Sequence, residues 1–430
     1  MLSFMEHIFG VILMSFFIFP FEPSFLPNTN TKMILAAVGV LLLLYNGVKR
    51  KYGSLDKGFV AILCLGFVYS LFNWFAVVIN NTGDYTYATY FISMLVWLSA
   101  GYTVIEYIRY VHGRLSVALV CNYMIAVGVF QCVSAMMIEY IPAMKSFVSS
   151  ITKGVGFRYG FEDLQGERLY GIGAMLDVAG QRFSCILSII AWLLIKSNDK
   201  HKIIIYLASF ILIAVVGNMI SRTTTVGVVI GIGIIIYSYL FSTTRNSEIT
   251  VPMFTLFLLG YLVVTVAFHT SPSFNNYFRF GFEGFFNLFE NGQWETHSNN
   301  ILESMYRFPY ALHTWLIGDG YFKNPGYDPY YIGYAWKGFY MGTDVGYLRF
   351  LYYSGLLGLI LFSLYFIQIG RYCAQSLPKY KYMIWTLVAI NFIGWLKVSS
   401  DIFMILVPFI ILSCLHVPNK NQESLIDNQS

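Results

Sequence analysis

What limits this chain most is the recurrence of apolar stretches close to twenty residues long, from its first residues to Leu415. A helix rises about 1.5 Å per residue, so such a stretch crosses the roughly 30 Å hydrocarbon layer of a bilayer. Inside that layer every backbone amide and carbonyl must find a partner, which leaves helices or a closed barrel. A barrel is written in alternating segments of about ten residues, and these stretches do not alternate. Of the 430 residues, 57% are hydrophobic and 11% charged, against about 25% charged in a soluble domain. The chain therefore reads as all-α, a polytopic helical membrane protein with one integral membrane domain over residues 1–430.

Twelve transmembrane helices are expected, near 7–24, 33–48, 58–79, 87–108, 115–139, 176–195, 203–220, 225–242, 251–268, 344–369, 382–396 and 399–416. Basic residues gather at 49–57, 109–114, 196–202, Arg245 and 371–381, all on one side of such a count. The short loops 25–31 and 80–86 carry no Lys or Arg. The positive-inside rule then puts both termini in the cytoplasm. Residues 140–175 and 269–343 become two large extracytoplasmic loops, on the outer face of a bacterial cytoplasmic (inner) membrane. The first apolar run lacks a basic leader and a small-residue cleavage site, so it reads as the first span and not as a cleaved signal. No internal repeat is visible, which weighs against an inverted-repeat transporter.

The loop 269–343 breaks the hydropathy pattern most. It holds Arg279, Glu283, Glu290, Glu295, His297, Glu303, Arg307, His313, Asp319, Lys323, Asp328 and Lys337 among many aromatics. Loops this long are uncommon unless functional or disordered, and the aromatic content argues against disorder. The six cysteines form neither a disulfide frame nor a zinc pattern. Phosphate-loop, His-Glu-x-x-His and Gly-x-Ser-x-Gly motifs are absent, as is an Asp-x-Asp pair in the first outward loop. No metal or cofactor is expected, so arginines have to neutralise any phosphate.

The outward side carries Arg158, Arg168, Arg182, Arg222, Arg279, Arg307, Arg349 and Lys397. Arg182, Arg222, Arg349 and Lys397 lie at or just inside span ends, where a charge faces the bundle interior or snorkels to the surface. A guanidinium presents a planar fork of donors that suits phosphate oxygens. Arg222 sits in a tight connection, residues 219–225, whose Ser and Thr residues are expected to cap the next helix. A helix start beside an arginine is an anion site; a simple polar hairpin is the plainer alternative. Lys397 and Asp401 are expected to pair on one helical face. Asp177 and Arg182 bracket Gly180 and either pair or line a cavity. Thr343 is expected as the N-cap of the tenth span, with Asp344 in its first turn and Arg349 about 7.5 Å deeper. A cap with a neighbouring ion pair is the plain reading of Asp344; a carboxylate held near a cation at the membrane surface is the functional one. His297 and His313 lie in the large loop, where a histidine is most often a polar surface group.

The segment Arg307-Phe308-Pro309-Tyr310-Ala311-Leu312-His313-Thr314-Trp315-Leu316-Ile317-Gly318-Asp319-Gly320 is followed, after a gap, by Gly342-Thr343-Asp344-Val345-Gly346-Tyr347-Leu348-Arg349 and Gly355-Leu356-Leu357-Gly358-Leu359. This resembles the core of Wzy-type O-antigen polymerases, which share a superfamily with O-antigen ligases. The Ser221-Arg222-Thr223 turn resembles the Ser-Arg turn of the same superfamily. Where ligases tend to carry a His-Asn pair this chain has Thr343-Asp344, which leans toward polymerase.

The resemblance implies a glycosyltransferase that moves a growing glycan from one polyprenyl diphosphate to the sugar of another, making O-antigen or a related surface polysaccharide. Its partners are polyprenyl-diphosphate-linked glycans as donor and acceptor, membrane lipid and a chain-length regulator protein, with no nucleic acid. Arg222 and Arg307, with Asp344 or His313 as base, form the implied catalytic set. Arg349, Arg182, Lys397, Arg158, Arg168 and Arg279 are the implied substrate-binding cations. The turn at Arg222, the loop from Arg307 onward and the span starting at Asp344 are expected to build one site. Alternatives are a ligase, which moves finished glycan to another acceptor, and a flippase for lipid-linked oligosaccharides, which calls for charges deep in a central cavity.

Overall fold

The computed structural model describes residues 2–50, 56–153, 168–241, 247–325 and 338–416. In chain order the helices are α1 Leu2–Ile18, α2 Thr31–Arg50, α3 Lys57–Ile79, α4 Tyr90–His112, α5 Val117–Tyr140, α6 Pro142–Ile151, α7 Leu176–Lys196, α8 Lys200–Ile220 and α9 Thr224–Phe241. There follow α10 Ser247–Thr270, α11 Pro272–Gly281, α12 Glu283–Asn291, α13 His297–Ser304, α14 Leu312–Leu316, α15 Gly346–Ser376, α16 Lys381–Gly394 and α17 Phe403–His416. Each of the twelve expected apolar stretches coincides with one of these helices. Among the described residues, seven helices are long and apolar enough to cross a membrane: α2, α3, α4, α5, α7, α8 and α15. The fold is thus that of a helical, membrane-compatible protein. The chain divides into two compact units, residues 1–35 with 106–296 and residues 36–105 with 297–430.

In the first unit α7 is the central helix, with 83% of its apolar window buried. It is apolar around most of its circumference, as a helix enclosed on all sides must be. α9 lies against it at backbone distance, because a side chain on Gly227 would overlap the backbone of Ser184. Small residues permit such approach where lipid offers no hydrophobic drive. Ser184 Oγ donates to the Thr223 carbonyl at 2.9 Å and accepts from the Gly227 amide at 3.1 Å. A two-residue ladder pairs Glu22–Pro23 with Thr152–Lys153 and ties the chain after α1 to the end of α6.

The second unit is built on aromatic packing. Phe362 of α15 stacks on Tyr69 at 4.4 Å and on Trp395 at 5.0 Å. α15 is not continuous. Ser354 (φ −141°, ψ 19°) and Gly355 (φ 65°, ψ −171°) break it. A break frees carbonyls that water cannot reach, so it persists only where other groups satisfy them. Here the turn after α14 does so: the Asp319 amide donates to the Tyr352 carbonyl at 2.6 Å and the Gly320 amide to that of Tyr353 at 3.1 Å. The turn is held from its other side by Asn80 on the Gly318 carbonyl and Thr82 on that of Gly320, each at 2.9 Å.

Gly355 occupies a backbone region open essentially to glycine alone, and a Cβ there would overlap the Leu316 carbonyl. Gly355→Val is therefore expected to cost at least about 1–3 kcal/mol in backbone strain and to lower the unfolding temperature of the purified protein in detergent. Gly233→Ala in α9, where a Cβ meets nothing within 4 Å, should leave that temperature unchanged or raise it. A Gly355→Val protein as stable as the parent would show that the break tolerates a side chain.

Candidate functional site

The expected site residues divide between the units, and each unit holds one arginine-centred cluster. In the first unit the connection from α8 to α9 closes within three residues: the Ser221 amide donates to the Gly217 carbonyl at 2.8 Å and the Thr224 amide to that of Ser221 at 3.0 Å. The Ser221 and Thr223 hydroxyls were expected to cap the following helix. Both donate to Asp177 Oδ1, at 2.9 and 2.6 Å, and Ser221 Oγ also accepts the Thr223 amide at 3.3 Å. The turn rests so closely on α7 that a Cβ on Gly180 would lie 2.6 Å from Ser221 Oγ. Asp177 is thus engaged by the turn, whereas Arg182, 8% exposed, lies with its guanidinium 5.5 Å from the Phe19 ring centroid.

This anchoring aims Arg222. Its Nε donates to the Phe280 carbonyl at 2.8 Å and its Nη1 lies 2.5 Å from Glu283 Oε2. The guanidinium also packs 4.3 Å from the Phe280 ring centroid, and that of Arg168 packs 4.9 Å from the same centroid. Among the described residues the buried Arg168 Nε has no hydrogen-bond partner. Burial lowers the Arg222 pKa from its ordinary value; Glu283 opposes this and the like charge of Arg168 reinforces it. Two guanidiniums meet here in a half-buried site, with the carboxylates of Glu283 and, from beneath the turn, Asp177 near Arg222; their planar forks suit an anion with several oxygens. Arg168 comes from the loop 140–175 and Phe280 and Glu283 from 269–343, so both large loops supply groups to the Arg222 turn. The Leu169 amide, bonded to the Met219 carbonyl at 3.0 Å, fixes the first of them there. Arg279 is engaged elsewhere, 2.9 Å from Glu290 and 4.6 Å from the Phe286 centroid. Arg158 lies outside the described residues.

In the second unit the sequence expectation for Asp344 is corrected. α15 begins at Gly346 with Val345 at its cap position, so Asp344 precedes the helix instead of occupying its first turn. Thr343 Oγ1 accepts the Val345 amide at 3.3 Å. Arg349 is 4% exposed. Its guanidinium lies between Phe322 and Phe339, 3.6 and 3.7 Å from the two centroids. It donates to Ser399 Oγ at 2.7 Å, to the Phe322 carbonyl at 3.3 Å and to Asp344 Oδ1 at 3.4 Å. Its Nε is buried without a partner among the described residues. Both faces of the cation are covered and its edges largely spent, so Arg349 fixes its surroundings more than it greets a ligand. Asp344, with a side chain 30% exposed, is the accessible end of the pair.

Sequence reasoning missed Asp84, which builds this clamp. Its Oδ2 accepts the amides of Phe322 and Lys323, each at 2.9 Å, and its Oδ1 accepts the Thr86 amide and hydroxyl at 3.1 and 2.6 Å. A carboxylate two residues before a threonine is an Asx-turn signal legible in the sequence. Tyr87 next to it donates to the Ser399 carbonyl at 3.3 Å. Burial raises its phenol pKa, against the pull of Arg349.

Arg307 and His313 are exposed. Arg307 Nε donates to the Ser304 carbonyl at 3.3 Å, while its own carbonyl accepts the Tyr352 hydroxyl at 3.0 Å. Residues 395–400 are turn and loop, not helix, which removes the expected helical face for Lys397 and Asp401. Asp401 accepts the Phe403 amide at 2.8 Å and the Tyr90 hydroxyl at 3.2 Å. Among the described residues no group of three or more His, Cys, Asp or Glu could hold a metal ion.

Removing the clamped cation should be costly, because Asp344, Ser399 and two ring faces lose their partner together. Arg349→Ala is expected to destabilise by about 3–5 kcal/mol, the range for breaking a buried pair. Arg307→Ala and His313→Ala should stay within about 0.5 kcal/mol. Thermal or denaturant unfolding in detergent ranks the three, and equal losses would contradict this division. No family model, curated protein or solved structure matches the chain.

Proposed function

We propose that the chain is a membrane glycosyltransferase of the polymerase type, extending a polyprenyl-diphosphate-linked glycan on the outer face of a bacterial inner membrane. The reading takes all twelve apolar helices as spans and both termini as cytoplasmic. The observation that carries it is the convergence of Arg168, Phe280 and Glu283 on the Arg222 turn. Two loops that break the hydropathy pattern meet there around a pair of guanidiniums at the end of apolar helices, where a lipid-linked diphosphate would lie.

In the proposed reaction a hydroxyl oxygen of the acceptor sugar attacks the anomeric carbon of the donor glycan. The new carbon–oxygen bond forms as the bond from that carbon to the diphosphate breaks, with its electron pair leaving on the diphosphate. Charge grows on the leaving group, and preorganised donors such as Arg222 and Arg168 stabilise it by about 3–4 kcal/mol each, as in comparable oxyanion sites. Glu283 is then the group that an incoming anion displaces from Arg222. The acceptor proton goes to a general base, a contribution of about 10² to 10⁴-fold. Asp344 of the second unit, 30% exposed beside Arg349, is the candidate for that base. Arg307, His313, Arg182 and Lys397 remain candidates for gripping substrate.

Full-length protein in proteoliposomes, supplied with purified lipid-linked repeat units, tests this. Arg222→Gln and Asp344→Asn should each lower the rate of chain extension by at least about 100-fold, judging by donor and base deletions elsewhere. Arg279→Gln, which loses only an exposed pair, should change it little. Normal long chains from both Arg222→Gln and Asp344→Asn would sink the assignment. A parent protein that transfers finished polymer to another acceptor, or moves lipid-linked units without joining them, would also overturn it.

A further inference from the structure

α12 shows two faces that differ in kind. At about 100° per residue, Phe285, Leu288 and Phe289 share one side, and Glu283 and Glu290 the other. The charged side is engaged: Glu283 lies against Arg222 and Glu290 against Arg279. Phe286, on the flank between them, stacks on Phe268 with centroids 5.9 Å apart. The apolar side is bare, with Phe285 42%, Leu288 41% and Phe289 84% exposed. The chain adds to it. Gly292, at φ 72°, ends the helix. Trp294 then folds back edge-on against Phe285 at 4.9 Å while staying 50% exposed.

This patch continues the exposed apolar surface of α10, one of the twelve expected spans. α10, joined to α12 only through the short α11, leaves Leu262 49%, Val263 68% and Val266 61% exposed. Phe268, near the end of α10, stacks on α12 itself, so the bare side of α12 is level with that end. A short helix with a strong polar side, an aromatic apolar side and a neighbouring tryptophan has the composition of a segment lying in the interface plane.

We propose that Phe285, Leu288, Phe289 and Trp294 insert into the acyl region of the bilayer leaflet at the Thr270 end of α10. They anchor α12 as an interfacial foot. The occupant of the patch is phospholipid. The proposal rests on the helical membrane character of the chain and not on the transferase reading.

Photo-crosslinking decides it. p-Benzoylphenylalanine replaces Phe289 in the full-length protein and, separately, Asn291, which lies off the patch. Each protein is placed in vesicles of phosphatidylethanolamine and phosphatidylglycerol, irradiated and weighed by intact-mass spectrometry. Phospholipid adducts should form at 289 several-fold more than at 291. In vesicles with brominated acyl chains, Trp294→Phe should also remove part of the quenchable tryptophan emission of the parent. Equal adduct yields at the two positions, crosslinks from 289 to a second copy of the chain, or quenching unchanged in Trp294→Phe would each overturn the proposal.

Discussion

A helix interrupted in an apolar surrounding must find partners for the backbone groups it releases, and in the second unit much else depends on how this is met. The break at Ser354–Gly355 leaves the carbonyls of Tyr352 and Tyr353 to the amides of Asp319 and Gly320. That fixes the turn 317–320 against α15. The Asp319 carboxylate, accepting the Thr314 hydroxyl at 2.6 Å and that of Tyr340 at 3.2 Å, then ties both α14 and the segment before α15 to the same point. The half-helix before the break carries Arg349, so the position of that cation is inherited from this turn. Discontinuous helices in membrane proteins are commonly tolerated where irregular backbone is enclosed by protein or lines a cavity. Here the enclosure is complete on the carbonyl side.

The two arginine clusters use the same materials to opposite ends. In each, an aromatic face takes up a guanidinium and a carboxylate lies near its edge. Around Arg349 two rings cover both faces, and hydroxyl, carbonyl and carboxylate oxygens take most of the edge. Around Arg222 one ring is shared with a second guanidinium, that of Arg168. Placing like charges on one ring is unfavourable without anions beside them, and Glu283 and Asp177 supply these. In the first arrangement both faces of one cation are covered, whereas in the second two guanidiniums share a single ring. This difference separates a positioning arginine from a binding one, although their sequence contexts look alike.

The sequence made the helices legible because hydropathy over twenty residues is a long-range average that local packing barely alters. Each of the twelve stretches contains a helix, and among the described residues seven of these are long and apolar enough to cross a membrane. The Arg222 turn was legible for a related reason: a charge between two apolar runs has few places to go. What pair patterns could not supply was partnership. Lys397 and Asp401 had helical spacing, yet residues 395–400 are not helical, and Asp177 takes the Ser221 and Thr223 hydroxyls of the next turn. The position of Asp344 was missed by the two residues that separate Thr343 from the cap at Val345. For Asp84 only the turn with Thr86 is legible, because its distant partners are the backbone amides of Phe322 and Lys323, which leave no mark in a sequence.

The resemblance noted in the sequence places weight on the Gly318-Asp319-Gly320 turn, and the fold gives that motif a structural cause. Both glycines hold positive φ, 84° and 73°, and the turn must reach two carbonyls at a helix break. Asp319 between them is committed to hydroxyls that brace the turn. A motif of this kind would be retained by any chain that breaks a helix in this way, whatever chemistry it performs. Function therefore has to be argued from groups outside that turn: the accessible edge of Asp344 and the paired guanidiniums of Arg222 and Arg168.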